Sequence, residues 1–394
     1  MNTTSNRRVL RRSIAALAAI TLVASACGGD DDDAAEPAEE PAQEPAEEPA
    51  DEPAEEPAAD CDPITAAFVY VGPIGDAGWT KKHDDGRLAL EDNLGDCVVT
   101  SYLESVPEGA ESEAVFERLA REGADVIFGT SFGYMDQMLA VAERFPDVKF
   151  EHGTGYKTSE NMGTYFGAAE EARYLSGMAA GSMSESGQIG YVAAFPIPEV
   201  LRGINAFTLG AQVINPDVTV EVAWTSTWFD PVIEKEAAEA LLNGGADVIS
   251  QHQDTPSAGE AAQTAGGYWV GYNDDMSRFA PEAWLTAPVW DWGPFYTAVV
   301  ESVADGTWES DQYYGSMADG LVNLSPVAEV VAQDVRDQID AKADEIIAGT
   351  FNAFTGPITA QDGSEAVAEG VTPDLGTLLG MDYFVAGVVG SASG

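Results

Sequence analysis

From Ile64 onward, short apolar runs alternate with amphipathic segments, and this alternation limits the possible folds more than any other feature of the sequence. The apolar runs have the length and the flanking Gly and Pro residues of buried strands, and the segments between them have helical spacing. The predicted strands are Ile64–Val71, Val98–Leu103, Asp125–Thr130, Val148–His152, Gln188–Phe195, Val218–Trp224 and Asp247–Gln251. The predicted helices are Lys81–Asn93, Glu111–Arg121, Met135–Phe145, Ala168–Met183, Val200–Val213 and Ile233–Leu242. Strands that alternate with helices predict an α/β fold with parallel sheets between helical layers.

A five-residue repeat indicates that this architecture is duplicated. Gly-Ala-Asp-Val-Ile occurs at residues 123–127 and again at 245–249, each time after a predicted helix. The residues that follow Asp62 are also more than one core usually contains. We therefore expect two lobes, one from 63–185 with about 286–318, the other from 186–285 with about 319–394. Ligands bind beyond the carboxyl ends of parallel strands, so the two lobes are expected to close a cleft.

The N-terminus has the order of a bacterial lipoprotein signal peptide. Residues 1–26 contain four arginines and no acid, and the apolar run Ile14–Ala26 is too short to span a bilayer. Small residues at 24–26 precede Cys27, although Ala24 stands where Leu is more usual. We expect cleavage before Cys27 and attachment of lipid to it. The alternative is ordinary signal cleavage, with Cys27 incidental.

Residues 27–62 are predicted to form a disordered tether. They contain four consecutive aspartates and repeated Glu-Pro-Ala units, with almost no apolar side chain larger than alanine. Such a segment buries too little surface to offset the entropy of ordering, and proline and charge repulsion keep it extended. We interpret it as a spacer between the membrane and the folded part.

The chain is strongly acidic, with 67 acids, 18 bases and a net charge of −49 at pH 7. The tether holds only 16 of the acids, so the folded part is itself negative. A surface of this sign repels phosphate backbones, which argues against a nucleic-acid partner. It also suggests a saline habitat, where salt screens the self-repulsion.

Two cysteines remain once Cys27 is assigned to lipid. Cys61 precedes the first predicted strand and Cys97 opens the second. Neighbouring strands are close enough for a disulfide, and an extracytoplasmic location favours one. The alternative is two free thiols.

Aromatic rings, carboxylates and amides recur directly after the predicted strands. The segments are Gly75–Trp79, Ser131–Asp136, His152–Tyr156, Thr227–Asp230, His252–Thr255, Tyr272–Asp275 and Trp290–Trp292. Ring faces offer stacking surface and the polar edges offer hydrogen bonds, so a planar, neutral ligand fits this set. The competing interpretation assigns about half of these aromatics, Phe132 and Phe229 first, to the core.

The sequence contains few of the residue patterns that are typical of catalytic sites. The three histidines lie on separate segments without metal-ligand spacing, and no Walker-type loop occurs. His252 could act as a general base that Asp254 holds in orientation, but the sequence identifies no nucleophile beside them. We expect no catalytic residues, no metal and no cofactor. A nucleoside hydrolase and a metal-ion receptor are weaker alternatives.

Six segments occur in a characteristic order, namely GDAGW (75–79), TSFGYMD (130–136), FEHGTGYKT (150–158), AAFPIPEVLRGINAF (193–207), TWFDPVIEKEAA (227–238) and GYNDDM (271–276). Together they resemble the basic membrane protein family, which comprises substrate-binding lipoproteins of ABC importers related to purine nucleoside receptors. The resemblance implies a type I periplasmic-binding-protein fold, with a ligand clamped between two lobes. The ligand-binding residues that it implies are Asp76, Trp79, Phe132, Tyr134, Trp228, Asp230, Asn273 and Asp275.

Trp290 departs from the family pattern, because it stands where a lysine usually binds the ribose of a nucleoside. We therefore add Trp290 to the predicted site and expect a free purine base, such as adenine, rather than the nucleoside. The implied partners are this purine, an ABC permease, and the membrane through lipid on Cys27. The expected protein is a monomer that faces the extracytoplasmic side. The alternative is a ligand-sensing domain for a membrane signalling partner.

The acidic surface predicts a strong dependence of stability on salt. The melting temperature should rise markedly between low and molar salt, because screening removes repulsion among carboxylates that the folded state holds close together. Thermal unfolding followed by circular dichroism measures this. A melting temperature that does not change with salt would contradict the saline-habitat hypothesis.

Overall fold

Two six-stranded sheets organise residues 61–394, the part of the chain that the computed structural model describes. The strands are β1 (Ile64–Val69), β2 (Val98–Leu103), β3 (Val126–Gly129), β4 (Lys149–Gly153), β5 (Met162–Gly167), β6 (Gln188–Ala193), β7 (Thr219–Trp224), β8 (Val248–His252), β9 (Tyr268–Val270), β10 (Trp284–Thr286), β11 (Pro288–Trp290), β12 (Gln312–Gly315), β13 (Val322–Leu324), β14 (Ile358–Thr359), β15 (Glu365–Val367) and β16 (Val388–Val389). The predicted signal peptide, Cys27 and the tether as far as residue 60 lie outside the described residues.

Ten α-helices occur in the same range. They are α1 (Trp79–Leu94), α2 (Ala110–Glu122), α3 (Met135–Ala142), α4 (Ala169–Met183), α5 (Pro198–Ile214), α6 (Pro231–Gly244), α7 (Ser257–Ala265), α8 (Gly293–Ala304), α9 (Gln333–Ile347) and α10 (Leu375–Leu379). None of these helices is long and apolar enough to cross a membrane.

Both sheets are entirely parallel. The first has the strand order β12-β5-β4-β3-β1-β2, and the second has the order β10-β9-β8-β6-β7-β16. The predicted α/β class with parallel sheets is confirmed. The chain passes from the first sheet to the second through α4, returns to the first at β12, and ends on the second at β16. The lobe boundaries given above stay predictions.

The Gly-Ala-Asp-Val-Ile repeat occupies the same place in both sheets. β3 lies between β4 and β1, and β8 lies between β9 and β6. Gly123 and Gly245 end the preceding helices with φ angles of 96° and 116°, a left-handed conformation that glycine adopts without strain. The Asp125 carboxylate then accepts a hydrogen bond from the Thr65 amide (2.8 Å), and Asp247 accepts from two amides just before β6 (2.7 and 2.6 Å). The repeat therefore connects each helix end to the start of a neighbouring strand.

A disulfide joins Cys61 and Cys97, whose Cα atoms are 5.7 Å apart. Cys61 precedes β1 and Cys97 precedes β2, and these two strands are paired in the register Ile64 with Val98. The bond therefore joins the entry points of two adjacent strands.

Helices α4 and α5 pack with their backbones in contact. A methyl group on Gly177 would lie 2.0 Å from the carbonyl oxygen of Phe207, and one on Gly210 would lie 1.9 Å from that of Tyr174. Real Cβ atoms do not approach oxygen so closely, so both positions require glycine. Small residues here explain the Ala/Gly-rich sequence of α4, the helix that carries the chain from the first sheet to the second.

We predict that Gly210→Ala lowers the free energy of unfolding by about 3 kcal/mol or more, because the methyl group forces α4 and α5 apart. Gly244→Ala is the matched control: Gly244 is also helical, and a methyl group there would meet only a side-chain oxygen at 3.9 Å. The control should be neutral or stabilise by up to about 1 kcal/mol. Urea unfolding in molar salt measures both, and equal losses for the two variants would contradict the packing argument.

Candidate ligand-binding site

A pocket lies beyond the carboxyl ends of both sheets. Its walls are residues at or just beyond the carboxyl ends of β1, β3, β4 and β5 on one side and of β6, β7, β8 and β9 on the other. The lining residues are Val71, Trp79, Thr130, Ser131, Phe132, Thr154, Phe166, Glu199, Trp228, His252, Asp254, Tyr272 and Asn273. Parallel pairing brings these loops together, because every strand of a sheet ends at the same edge.

Five aromatic side chains line this pocket. Trp79, Phe132 and Phe166 come from the first sheet's side, and Trp228 and Tyr272 come from the second's. Phe166 and Tyr272 are buried, whereas the other three are partly exposed. Together they provide apolar ring surface from both sheets for a flat ligand.

Trp79 is held in place by contacts at its ring. Its indole N–H donates to the carbonyl oxygen of Thr130 (2.7 Å), and its ring meets His83 edge-on with centroids 4.2 Å apart. Because its only donor is occupied, Trp79 offers the pocket an apolar ring rather than a hydrogen bond.

Two hydrogen bonds orient Asn273 and Asp254, which we call the polar wall of the pocket. Trp290 Nε1 donates to Asn273 Oδ1 (2.9 Å), and Asn273 Nδ2 donates to Asp254 Oδ1 (3.0 Å). Burial raises the pKa of Asp254 well above its ordinary value, and the nearby carboxyl groups of Asp76 and Glu234 raise it further. Both effects favour the protonated form of Asp254, which could donate a hydrogen bond as well as accept one.

Four polar atoms of the pocket lining are buried without a hydrogen-bond partner among the described residues. They are Thr154 Oγ1, Glu199 Oε2, Trp228 Nε1 and His252 Nδ1. Leaving such an atom unpaired costs about 1–3 kcal/mol. A ligand with both donors and acceptors at its edge would satisfy these atoms, and an apolar ligand would not.

His252 is a neutral imidazole in this environment. Burial lowers its pKa well below the ordinary value, and the positive charges of Arg173 and Arg202 lower it further. Its ring lies 4.3 Å from that of Tyr272, over which the Arg173 guanidinium also lies, at 3.6 Å from the ring centroid. Arg173 therefore supports Tyr272 and keeps His252 uncharged.

Glu199 is a second neutral acid in the pocket. Burial of its carboxyl group raises its pKa to about 8; the Arg202 charge works against this and Glu108 adds to it. The residue as a whole is partly exposed, but Oε2 is buried. The pocket lining thus combines two acids whose pKa values are raised with an imidazole whose pKa is lowered, and each shift favours the uncharged form.

Four of the nine residues predicted to bind ligand line the pocket, namely Trp79, Phe132, Trp228 and Asn273. Two others begin helices. The Asp76 carboxylate accepts from three backbone amides around the start of α1 (2.8, 2.8 and 3.0 Å), and Asp230 accepts from two at the start of α6 (3.0 and 3.1 Å). Backbone amides therefore already satisfy both carboxylates.

The remaining three predicted residues also lie away from the pocket lining. Tyr134 is buried, and its hydroxyl donates to the Val106 carbonyl (2.5 Å). Asp275 is exposed and accepts from the Ser277 amide (2.9 Å). Trp290 is buried behind Asn273, so it orients the polar wall without lining the pocket.

The prediction omitted several residues that line the pocket. Asp254, His252, Tyr272 and Thr154 lie in the strand-end segments but were not selected as binding residues. Phe166 was missed because β5, which it nearly ends, was not recognised as a strand. The strand-end position was the only available signal, since the effect of burial on these groups is not visible in sequence.

Residues 61–394 contain no group of three or more His, Cys, Asp or Glu side chains arranged to hold a metal ion.

Two parallel sheets with a pocket at their facing strand ends define the fold class of this chain. The solved structure of a solute-binding protein of an ABC transporter system from Aeropyrum pernix K1 has the same fold, with a TM-score of 0.66 and 20% identity over 80% of this chain and 95% of that one. The predicted type I periplasmic-binding-protein fold is confirmed.

The chain belongs to the family of PnrA-like ABC transporter substrate-binding proteins, which residues 64–353 match. It is 47% identical to a purine-binding protein of Brucella abortus over 327 residues, 83% of this chain and 93% of that protein. It is also 47% identical to a putative ABC transporter glucose-binding protein of Haloferax volcanii over 295 residues, 75% of each chain. Membership implies a small-molecule ligand and a permease partner, and the family is one of binding proteins rather than enzymes.

Buried acids predict how stability depends on pH. Burial raises the pKa values of Glu151 and Glu199 to about 8 and those of Glu171 and Glu234 to about 7, from an ordinary 4.5. Between pH 4.5 and 8 the folded state therefore binds protons that the unfolded state has lost. The free energy of unfolding should fall as pH rises through this window.

Urea unfolding from pH 5 to 8 in molar salt, which screens general repulsion, measures this slope. Glu199→Gln should make the slope shallower, because the amide mimics the protonated acid at every pH. Glu365→Gln, at an exposed position, is the control and should leave the slope unchanged. A slope that Glu199→Gln does not alter would contradict the neutral state of Glu199.

Proposed function

We propose that this protein is the receptor of an ABC importer and that it holds a purine base, such as adenine, in the pocket between its two sheets. It acts as a monomer, tethered to the extracytoplasmic face of the membrane by lipid on Cys27. The observation that carries the proposal is a pocket with aromatic surface from both sheets and neutral polar groups without partners. A purine has two apolar faces and an edge of ring nitrogens and N–H groups, which matches both features.

The absence of a sugar-binding cation supports the base over the nucleoside. Among the described residues that line the pocket, none is a lysine or an arginine. Arg202 lines only the adjoining space, where its guanidinium pairs with Glu170 (3.2 Å) and donates to the Leu378 carbonyl (3.1 Å). The sequence argument for a free base rested on Trp290. This residue supports the preference for a base indirectly, because its indole N–H holds the Asn273 side chain in place.

Glucose is the second candidate ligand. The Haloferax relative named as a putative glucose-binding protein is as similar to this chain as the purine-binding one, although over a shorter stretch. Aromatic rings also pack against sugar rings, so the pocket's Trp and Phe side chains do not by themselves exclude it. The neutral imidazole and acids favour a heteroaromatic edge instead.

Delivery to a permease requires the loops of the two sheets to close over the ligand. Ion pairs between the first sheet's side and the second sheet's side support such a closed arrangement. The ammonium groups of Lys81 and Lys82, on α1, lie 3.5 and 3.8 Å from carboxylate oxygens of Asp274, which follows β9 of the second sheet. Ligand contacts made only in the closed arrangement would shift the population toward it. The permease would then recognise the closed form.

The lipid anchor rests on the sequence around Cys27. The native protein should partition into the detergent phase in Triton X-114 extraction, and Cys27→Ser should move it to the aqueous phase. Equal partitioning of the two would contradict the anchor.

Isothermal titration with adenine, adenosine, guanosine, inosine and glucose tests the ligand. We expect adenine to bind most tightly, and Trp228→Ala to weaken adenine binding by about tenfold or more through lost stacking and lost burial. Trp224→Ala is the control, because Trp224 packs near Phe384 outside the pocket and should leave the affinity unchanged.

Three results would contradict the proposal. Tighter binding of adenosine than of adenine would refute the preference for a base, and binding of glucose alone would refute a purine ligand. Release of free adenine from adenosine during incubation, followed by chromatography, would reveal a hydrolase.

A further inference from the structure

A second cavity, which we call the α8 groove, lies on the first sheet's side and shares no lining residue with the pocket. Helix α8, the segment that follows it and β12 form its walls. The residues that carry its chemistry are Glu151, Phe295, Trp308, Glu309, Asp311 and Tyr313. The proposed transport function uses none of them.

Glu151 lies deep in this groove. It is the middle residue of β4 and only 3% exposed. Its Oε1 accepts a hydrogen bond from Trp308 Nε1 (2.8 Å), whereas its Oε2 is buried without a partner among the described residues. Burial, together with the nearby charge of Asp311, raises the pKa of this carboxyl to about 8. A carboxylate oxygen in this position requires a proton or a donor from outside the chain.

Aromatic rings form the apolar part of the groove. The Phe295 and Tyr313 rings are stacked with centroids 4.7 Å apart, and Trp308 lies beside Glu151. The ammonium group of Lys149 already lies 5.3 Å from the centroid of the Trp308 ring. Ring faces attract cations by about 0.5–2 kcal/mol, more when water is excluded.

The groove is also negative. Glu309 and Asp311 lie at its exposed rim, Glu151 adds a buried carboxyl group, and the lining contains no base. An anionic ligand is therefore disfavoured. An inorganic cation would gain the single free oxygen of Glu151 but would leave the ring surface unused.

We propose that the α8 groove binds a small organic cation that carries a primary ammonium group on an apolar stem. On binding, the Glu151 carboxyl group releases its proton to solvent, the ammonium group donates to Oε2 of the resulting carboxylate, and the stem lies along Phe295 and Tyr313. A primary ammonium fits better than a quaternary one, because Oε2 requires an N–H donor.

The test is titration of the full-length protein with n-butylammonium at constant ionic strength, followed by calorimetry. n-Butanol has the stem without the charge, and tetramethylammonium has the charge without a donor. We expect n-butylammonium to bind at least tenfold more tightly than either. Glu151→Gln should weaken its binding at least tenfold, and Tyr313→Leu, which keeps Glu151, should weaken it severalfold.

Glu365→Gln, which removes an exposed acid far along the chain, controls for general attraction to an acidic surface. Equal effects of Glu151→Gln and Glu365→Gln would overturn the proposal, as would equal binding of n-butanol or no binding at millimolar concentration. If Glu151→Gln does not fold, as judged by circular dichroism, Tyr313→Leu and the two ligand analogues still decide the question. Titration of adenine into the same preparations tests the pocket separately, so failure of either site is recognised independently.

Discussion

Parallel strand pairing is the constraint on which the pocket depends. Because every strand in a parallel sheet points the same way, all the connecting loops that follow strands gather at one edge. Two such sheets joined through α4 bring their loop edges together, and the Gly177 and Gly210 contacts fix how closely α4 meets α5. The short loops after β3, β7 and β8 thus form a single pocket although they are far apart in sequence.

Burial then decides the chemistry of the pocket. Carboxyl groups at Asp254 and Glu199 would be charged in water, but loss of solvent raises their pKa values and favours their protonated, hydrogen-bonding form. Loss of solvent also keeps His252 uncharged, with help from two arginines. In a chain with a net charge of −49, burial thus favours uncharged side chains in the pocket.

The sequence predicted the strands and helices of the regular β/α segments well, since apolar runs and helical spacing depend on local residues. It failed at β5, β12 and β16. β12 and β16 return to sheets whose other strands lie far away in sequence, and β5, directly before the predicted helix Ala168–Met183, was left out of the predicted strands. Among the predicted site residues, aromatics at strand ends line the pocket more often than carboxylates do. Asp76 and Asp230 illustrate the reason, because a carboxylate in a Gly- or Pro-containing turn can begin a helix as readily as it can bind a ligand.

By itself the sequence determined the α/β class, the repeated motif in both sheets, the acidic character and the strand-end location of the pocket. Each of these follows from the periodicity, composition or order of neighbouring residues. The tertiary structure alone decided which polar groups are free to meet a ligand. Trp290 was predicted to contact the ligand, yet it lies behind Asn273 and donates to its side chain, whereas Glu199 and Thr154 line the pocket with unpartnered atoms. Whether a polar atom is already satisfied depends on backbone that arrives from distant parts of the chain, and no local pattern contains that information.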